Sequence, residues 1–175
     1  MLSDRFIQLA EFVRQHGAWA PPIAGLLAFL KSFPVVSVFI PATAPLLALG
    51  ALIGAGSLDF VPIWIAVSLG AALGDVLSYW LGYHYRDGIR HVWPLSRYPE
   101  TLPRGEAFFR RWGVLGIVLA RFFGPLRASA PIVAGVFEMP FVPFQVANIL
   151  GALLWAGILL APGAFGFGIA RDWIR

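Results

Sequence analysis

Cysteine is absent from the 175-residue chain, which excludes disulfides and thiolate metal sites. Charge is scarce: 13% of the residues are charged, against about 25% in a soluble domain. A single lysine stands beside twelve arginines. No Ser-His-Asp set, HExxH, P-loop or dinucleotide fingerprint occurs, so an enzyme reading has nothing to stand on and no cofactor is expected. His84 and His91 have no other metal-type residue at ligand spacing. They read as loop residues in solvent, and no metal is expected.

What the chain has in quantity is apolar surface. It is 59% hydrophobic with a mean hydropathy of +0.77, the composition of an integral membrane protein forming one domain. Its 14 prolines and 19 glycines fall inside the apolar runs. Bare coil is not tolerated in lipid, so this punctuation points to interrupted helices. The net charge of +4 comes from basic residues that sit beside apolar segments. Anionic lipid head groups are therefore the expected partner, and nucleic acid is not. Asp4 and Glu11 interrupt any signal-peptide pattern at the start.

Along the chain, residues 2–16 carry Leu2, Phe6, Leu9 and Val13 on one face, predicting an amphipathic helix lying on the membrane. Gly17–Leu30 is apolar but short of the roughly 20 residues a crossing needs, and Pro21-Pro22 is expected to kink it. Residues 33–57 are apolar yet carry three prolines and three glycines, which suits a re-entrant helical hairpin. Residues 60–83 read as a transmembrane helix. Residues 84–111 hold six arginines against three acids and read as a cytoplasmic loop by the positive-inside rule. Residues 112–137 repeat the broken apolar character as a second re-entrant hairpin, and 141–168 read as a second transmembrane helix.

The two halves match. At an offset of 81, Phe60-Val61-Pro62 aligns with Phe141-Val142-Pro143 and Leu69-Gly70-Ala71 with Leu150-Gly151-Ala152. Eight of the fifteen positions 60–74 are identical, and Gly54 meets Gly135. Duplication predicts an all-α membrane fold of two inverted repeats. Each repeat is a re-entrant hairpin followed by a transmembrane helix, the arrangement that places transporter sites near the midplane.

Within the second hairpin, Arg121 and Arg127 flank Gly124-Pro125. A guanidinium stays charged, and charge at bilayer depth is costly and marks function. Both arginines are expected to converge on one anionic guest, with phosphate matching their forked donors and the following helix, from near Ala128, offering N-terminal amides. Asp75, inside the first transmembrane segment, is the expected counter-charge or proton-binding carboxylate, with Glu138 as a second candidate. Gln145 and Asn148 are placed to hydrogen-bond between helices.

The stretch Arg121-Phe122-Phe123-Gly124-Pro125-Leu126-Arg127, with Pro131 and Ala134-Gly135, and Gly74-Asp75 followed by Tyr79 and Gly82, resembles the DedA family of bacterial inner-membrane proteins. That family shares the VTT domain with eukaryotic lipid scramblases. The resemblance implies inverted re-entrant hairpins, an inner-membrane location and movement of lipids between leaflets. The family's two essential hairpin arginines map onto Arg121 and Arg127. This chain departs in its first hairpin: Lys31 and Thr43 stand where many members carry carboxylates proposed for proton coupling.

The resulting expectation is a multi-pass inner-membrane transporter or scramblase for phosphate-bearing lipids, either phospholipid or an undecaprenyl-phosphate-type carrier. The alternative is a proton- or cation-coupled transporter of a small solute. A scaffold that docks anionic lipid without moving it is the third class. Small residues at Gly50, Gly54, Gly70 and Gly74 permit close helix contact, within one chain or in a homo-oligomer.

Overall fold

The computed structural model describes residues 17–33, 43–89, 101–122 and 124–173. The amphipathic segment 2–16 and His91 lie outside the described residues, as does the first part of the 33–57 hairpin. Every regular element among the described residues is a helix.

A short 3-10 turn at Gly17–Trp19 leads into α1 (Ala20–Ser32). Pro21 and Pro22 sit in its first turn, where a missing N–H loses no helical bond and φ is already set. They start the helix and do not kink it. Next come α2 (Thr43–Gly54) and α3 (Phe60–His84), followed by the single turn α4 (Arg86–Ile89).

The expected loop at 84–111 is helical from Thr101, where α5 (Thr101–Ala120) begins. Its first half includes Arg104, Glu106, Ala107, Arg110 and Arg111, good helix formers, and Pro103 falls in the first turn, where no helical bond is lost; charge argues for exposure and not against helicity. Gly113 adopts φ 50 and ψ −127, a backbone state that glycine reaches without a Cβ penalty. The bend separates the polar half of α5 from its apolar half.

A turn at Arg121-Phe122 separates α5 from α6 (Gly124–Val136). Gly-Pro therefore opens a helix, four residues earlier than the expected start near Ala128. The last helix, α7 (Phe141–Trp173), passes through Pro162 and beyond the expected end at 168.

Two helices, α3 and the Phe141–Ala164 part of α7, are long and apolar enough to cross a membrane. At 1.5 Å per residue α3 reaches about 37 Å, and a bilayer core is about 30 Å thick. By the same rise α2 and α6 reach only about 20 Å.

Two cross-bonds fix the orientation of α3 and α7. Trp64 Nε1 donates to the Leu153 carbonyl at 2.9 Å, and Asn148 Nδ2 donates to the Ala72 carbonyl at 2.9 Å. The partner number falls along α7 as the residue number rises along α3, so the helices are antiparallel. Around them, α1 lies against α3 so closely that a Cβ on Gly70 would strike the backbone of Gly25. Small residues make such approach possible without a hydrophobic drive between helices. The buried core accordingly contains Ala24, Ala28, Ala71, Ala152 and Ala156.

The outward faces are apolar. On α3, Val61, Ile65, Leu69, Leu73 and Leu77 are exposed at four-residue spacing. On α7 the exposed residues include Val142, Val146, Leu150, Leu154 and Ile158. Each of these lies 81 positions after its counterpart. Contacts follow the same offset: Gly54 of α2 packs on Gly163 of α7, while Gly135 of α6 packs on Tyr79 and Tyr83 of α3, either side of Gly82.

Candidate functional site

Asp75 lies fifteen residues into α3, about 22 Å from its start, and is only 4% exposed. Burying a carboxylate is tolerable only with a partner. Arg121 supplies one, its Nη2 standing 2.6 Å from Asp75 Oδ2, and is itself 5% exposed. Ser32 at the end of α1 is buried against Gly74, beside the same carboxylate.

Arg121 can reach this point because the helix has just ended. Its Nη1 donates to the Asn148 carbonyl at 3.2 Å and to Asn148 Oδ1 at 3.0 Å. Helical regularity would otherwise aim the side chain along the groove of its own helix. Asn148 in turn donates to Ala72 and lies 3.4 Å from Gln145 Oε1. A single guanidinium thus ties the α5–α6 break to both long helices, and Asn148 orients it.

Arg127, in the first turns of α6, differs. Its guanidinium carbon stands 3.8 Å from the centre of the Trp155 ring, a cation–π contact on α7. Its Nε and Nη2 are buried with no hydrogen-bond partner among the described residues; Arg121 Nε shares that state, but Arg121 holds Asp75. Such donors cost free energy until something accepts from them. Arg127 also interacts electrostatically with Arg121 and Asp75, so both arginines share one interior cluster. Lys31 Nζ from α1 lies 5.7 Å from the centre of the same indole.

The remaining candidates divide. Gly124 and Pro125 are the first two residues of α6. Thr43 is the first residue of α2; its side chain lies outside the described residues. Glu138 does not join the cluster. It occupies the α6–α7 turn at φ 53, with its side chain 49% exposed and paired with Arg86. Turn geometry placed it at the surface, where a long acidic side chain remains solvated. His84, also exposed, contacts the Trp80 carbonyl at 3.1 Å through Nδ1. Among the described residues no three metal-type side chains gather.

Trp155 was not singled out from the sequence, and its only signal is a large aromatic between Leu154 and Ala156 in a largely aliphatic span. Ser32 gave no signal. Asn148 was legible as a polar group within an apolar helix, though not as a ligand of Arg121.

Arg121 at the helix break, on Asp75, and Arg127 in α6, on the Trp155 indole, both fall within the family match. The VTT domain model matches residues 40–165. The chain belongs to the VTT domain family. Its relatives include the inner membrane protein YabI of Escherichia coli strain K12, 35% identical over 165 residues. That alignment covers 94% of this chain and 64% of YabI. Protein DedA of the same strain is 32% identical over 163 residues, covering 91% of this chain and 74% of DedA. A membrane protein of Buchnera aphidicola subsp. Acyrthosiphon pisum is 31% identical over 155 residues, covering 89% and 60%. The chain thus spans under two thirds of the length of YabI and of the Buchnera protein. No solved structure matches it. VTT-domain relatives carry membrane-protein names, in keeping with two helices fit to cross a bilayer.

Proposed function

We propose that this VTT-domain protein moves phosphate-bearing lipids between the leaflets of a bacterial inner membrane, as a scramblase or transporter. One observation carries the reading: Arg127 holds buried, unpartnered donors on an aromatic platform beside an already neutralised Arg121–Asp75 pair. The pair braces the break, and Arg127 receives the head group. A phosphate oxygen accepts from the guanidinium fork with charge assistance. The prenyl or acyl tail stays in the bilayer throughout, so it avoids the transfer cost of about 0.8 kcal/mol per methylene.

The same reading treats the two halves as inverted repeats. Three features support it: matching exposed faces 81 residues apart, the exchanged packing of α2 on α7 and α6 on α3, and the antiparallel course of α3 and α7. A two-fold operation relating antiparallel helices has its axis perpendicular to them, hence in the membrane plane when they cross it. The short α6, and α5 beyond Gly113, then form a hairpin that enters and leaves on one side, with Arg121 and Arg127 near its tip.

The rival solute transporter would use Asp75 and Glu138 as a titrating pair. Their separation, one buried with Arg121 and the other on the surface with Arg86, weighs against it. Reconstitution in proteoliposomes with fluorescent phospholipid tests the proposal. Arg127→Ala abolishes translocation, and Arg127→Lys retains part of it, because lysine keeps the charge but loses the fork. Equal rates for wild type and Arg127→Ala overturn the assignment.

A further inference from the structure

The guanidinium carbon of Arg127 lies 3.8 Å from the centre of the Trp155 ring, van der Waals contact for two carbons. An approach from the rim at that separation would overlap the indole's own atoms, so the carbon stands over the ring face. An N–H aimed down at the ring would hold the carbon farther off by the length of its own C–N bond. The guanidinium therefore lies flat on the indole, with its N–H bonds directed sideways. Two of its nitrogens, Nε and Nη2, are buried without a hydrogen-bond partner among the described residues. These two share one edge of the guanidinium, from which a pair of N–H bonds runs parallel.

The indole is itself held in place. Trp155 is 9% exposed and belongs to a buried cluster with Ala28 of α1, Leu46 of α2, Ala71 of α3 and Leu160 of its own helix. A ring packed among four helices is a fixed plane, and it sets the plane of the cation lying on it. We infer that Trp155 is a positioning residue for Arg127: it holds the guanidinium flat, so that the Nε–Nη2 edge is a preformed fork for a phosphate with two free oxygens. This rests on the anion-binding reading of Arg127 above. An unsupported arginine loses rotamer freedom when it closes on a ligand. Here the indole imposes that order beforehand, which lowers the cost of binding. A phosphodiester keeps two unesterified oxygens, one for each N–H of the edge, whereas a lipid lacking phosphate offers no such pair.

The test is binding to the full chain purified in detergent, and does not require transport. The probes are short-chain phosphatidylglycerol, inorganic phosphate and, as a phosphate-free control, short-chain diacylglycerol. Trp155→Met fills much of the space without an aromatic face and weakens phosphatidylglycerol binding about tenfold, whereas Trp155→Phe keeps a face and stays within about threefold of wild type. In an Arg127→Lys background, where no plane remains to be held, Trp155→Met changes affinity by about twofold or less. A merely structural role would weaken binding equally in both backgrounds, and that result overturns the proposal. Should Trp155→Met not fold, uniform 5-fluorotryptophan substitution keeps the ring's shape while drawing charge from its face. It weakens binding about twofold in wild type and leaves Trp155→Phe unchanged; equal effects in both refute the inference. Inorganic phosphate bound as tightly as phosphatidylglycerol, with the same Trp155 dependence, supports the positioning role with free phosphate as the guest. Diacylglycerol bound as tightly as phosphatidylglycerol overturns it. Weak binding by Arg127→Ala with wild-type binding by Trp155→Met sinks this inference and leaves the anion-binding reading standing. The full Trp155 dependence without lipid translocation in vesicles supports the inference and refutes lipid transport alone.

Discussion

Asp75 and Arg121 form a buried pair whose value is conditional. Losing one partner strands the other charge, which typically costs about 3–5 kcal/mol. Asp75→Asn is therefore expected to lower the melting temperature in detergent sharply, and Asp75→Asn combined with Arg121→Gln to recover much of the loss. A double variant as unstable as the two single losses added together would show that the groups do not depend on one another. The arginines were legible as functional from sequence because a permanent charge between apolar runs has few tolerable explanations. Their division of labour was not. Whether a guanidinium is paired or open depends on what stands opposite, and both Asp75 and Trp155 arrive from helices distant in sequence.

Elements differ in how far the sequence announced them. A long apolar run flanked by polar residues has one stable form in lipid, so α3 stands at Phe60–His84 where 60–83 was read. In α5 the same logic misled, because arginine density marks exposure and leaves helicity open. Gly113 is the feature that makes α5 two segments. At φ 50 a Cβ is strained, so Gly113→Ala is expected to destabilise by about 1 kcal/mol or to straighten the helix. The measurement is the melting temperature together with the distance between spin labels at positions 107 and 119. An unchanged distance with unchanged stability would remove the bend's role. At the α5–α6 junction, the residue pattern Gly-Pro reads equally as a break or as a helix start. The structure shows both, ending α5 at Ala120 and beginning α6 at Gly124 itself.

At the scale of the molecule, antiparallel α3 and α7 put the end of the first beside the beginning of the second. Tyr79 marks that level: its hydroxyl donates to the Met139 carbonyl at 2.6 Å, and its ring lies 4.4 Å from that of Phe144. Arg86 and Glu138 close the same end. Absence of cysteine makes the topology directly measurable. Tyr85→Cys and Pro140→Cys are expected to label with an impermeant maleimide from one face of the membrane, and Asp59→Cys from the other. Labelling of Tyr85→Cys and Asp59→Cys from the same face would eliminate α3 as a crossing.

Composition by itself settled the solvent of this chain, the absence of thiol chemistry and the two long helices, because burial in lipid and backbone satisfaction are local demands on each segment. The sequence also carries an internal match at an offset of 81, which the exposed apolar faces of α3 and α7 share. Tertiary structure alone decided that Asp75 neutralises Arg121, that Glu138 stays at the surface, and that Lys31 and Arg127 each approach Trp155. Those outcomes depend on helix rotation and crossing, which are set by where small residues let backbones touch. No count of charges along one strand of sequence carries that information.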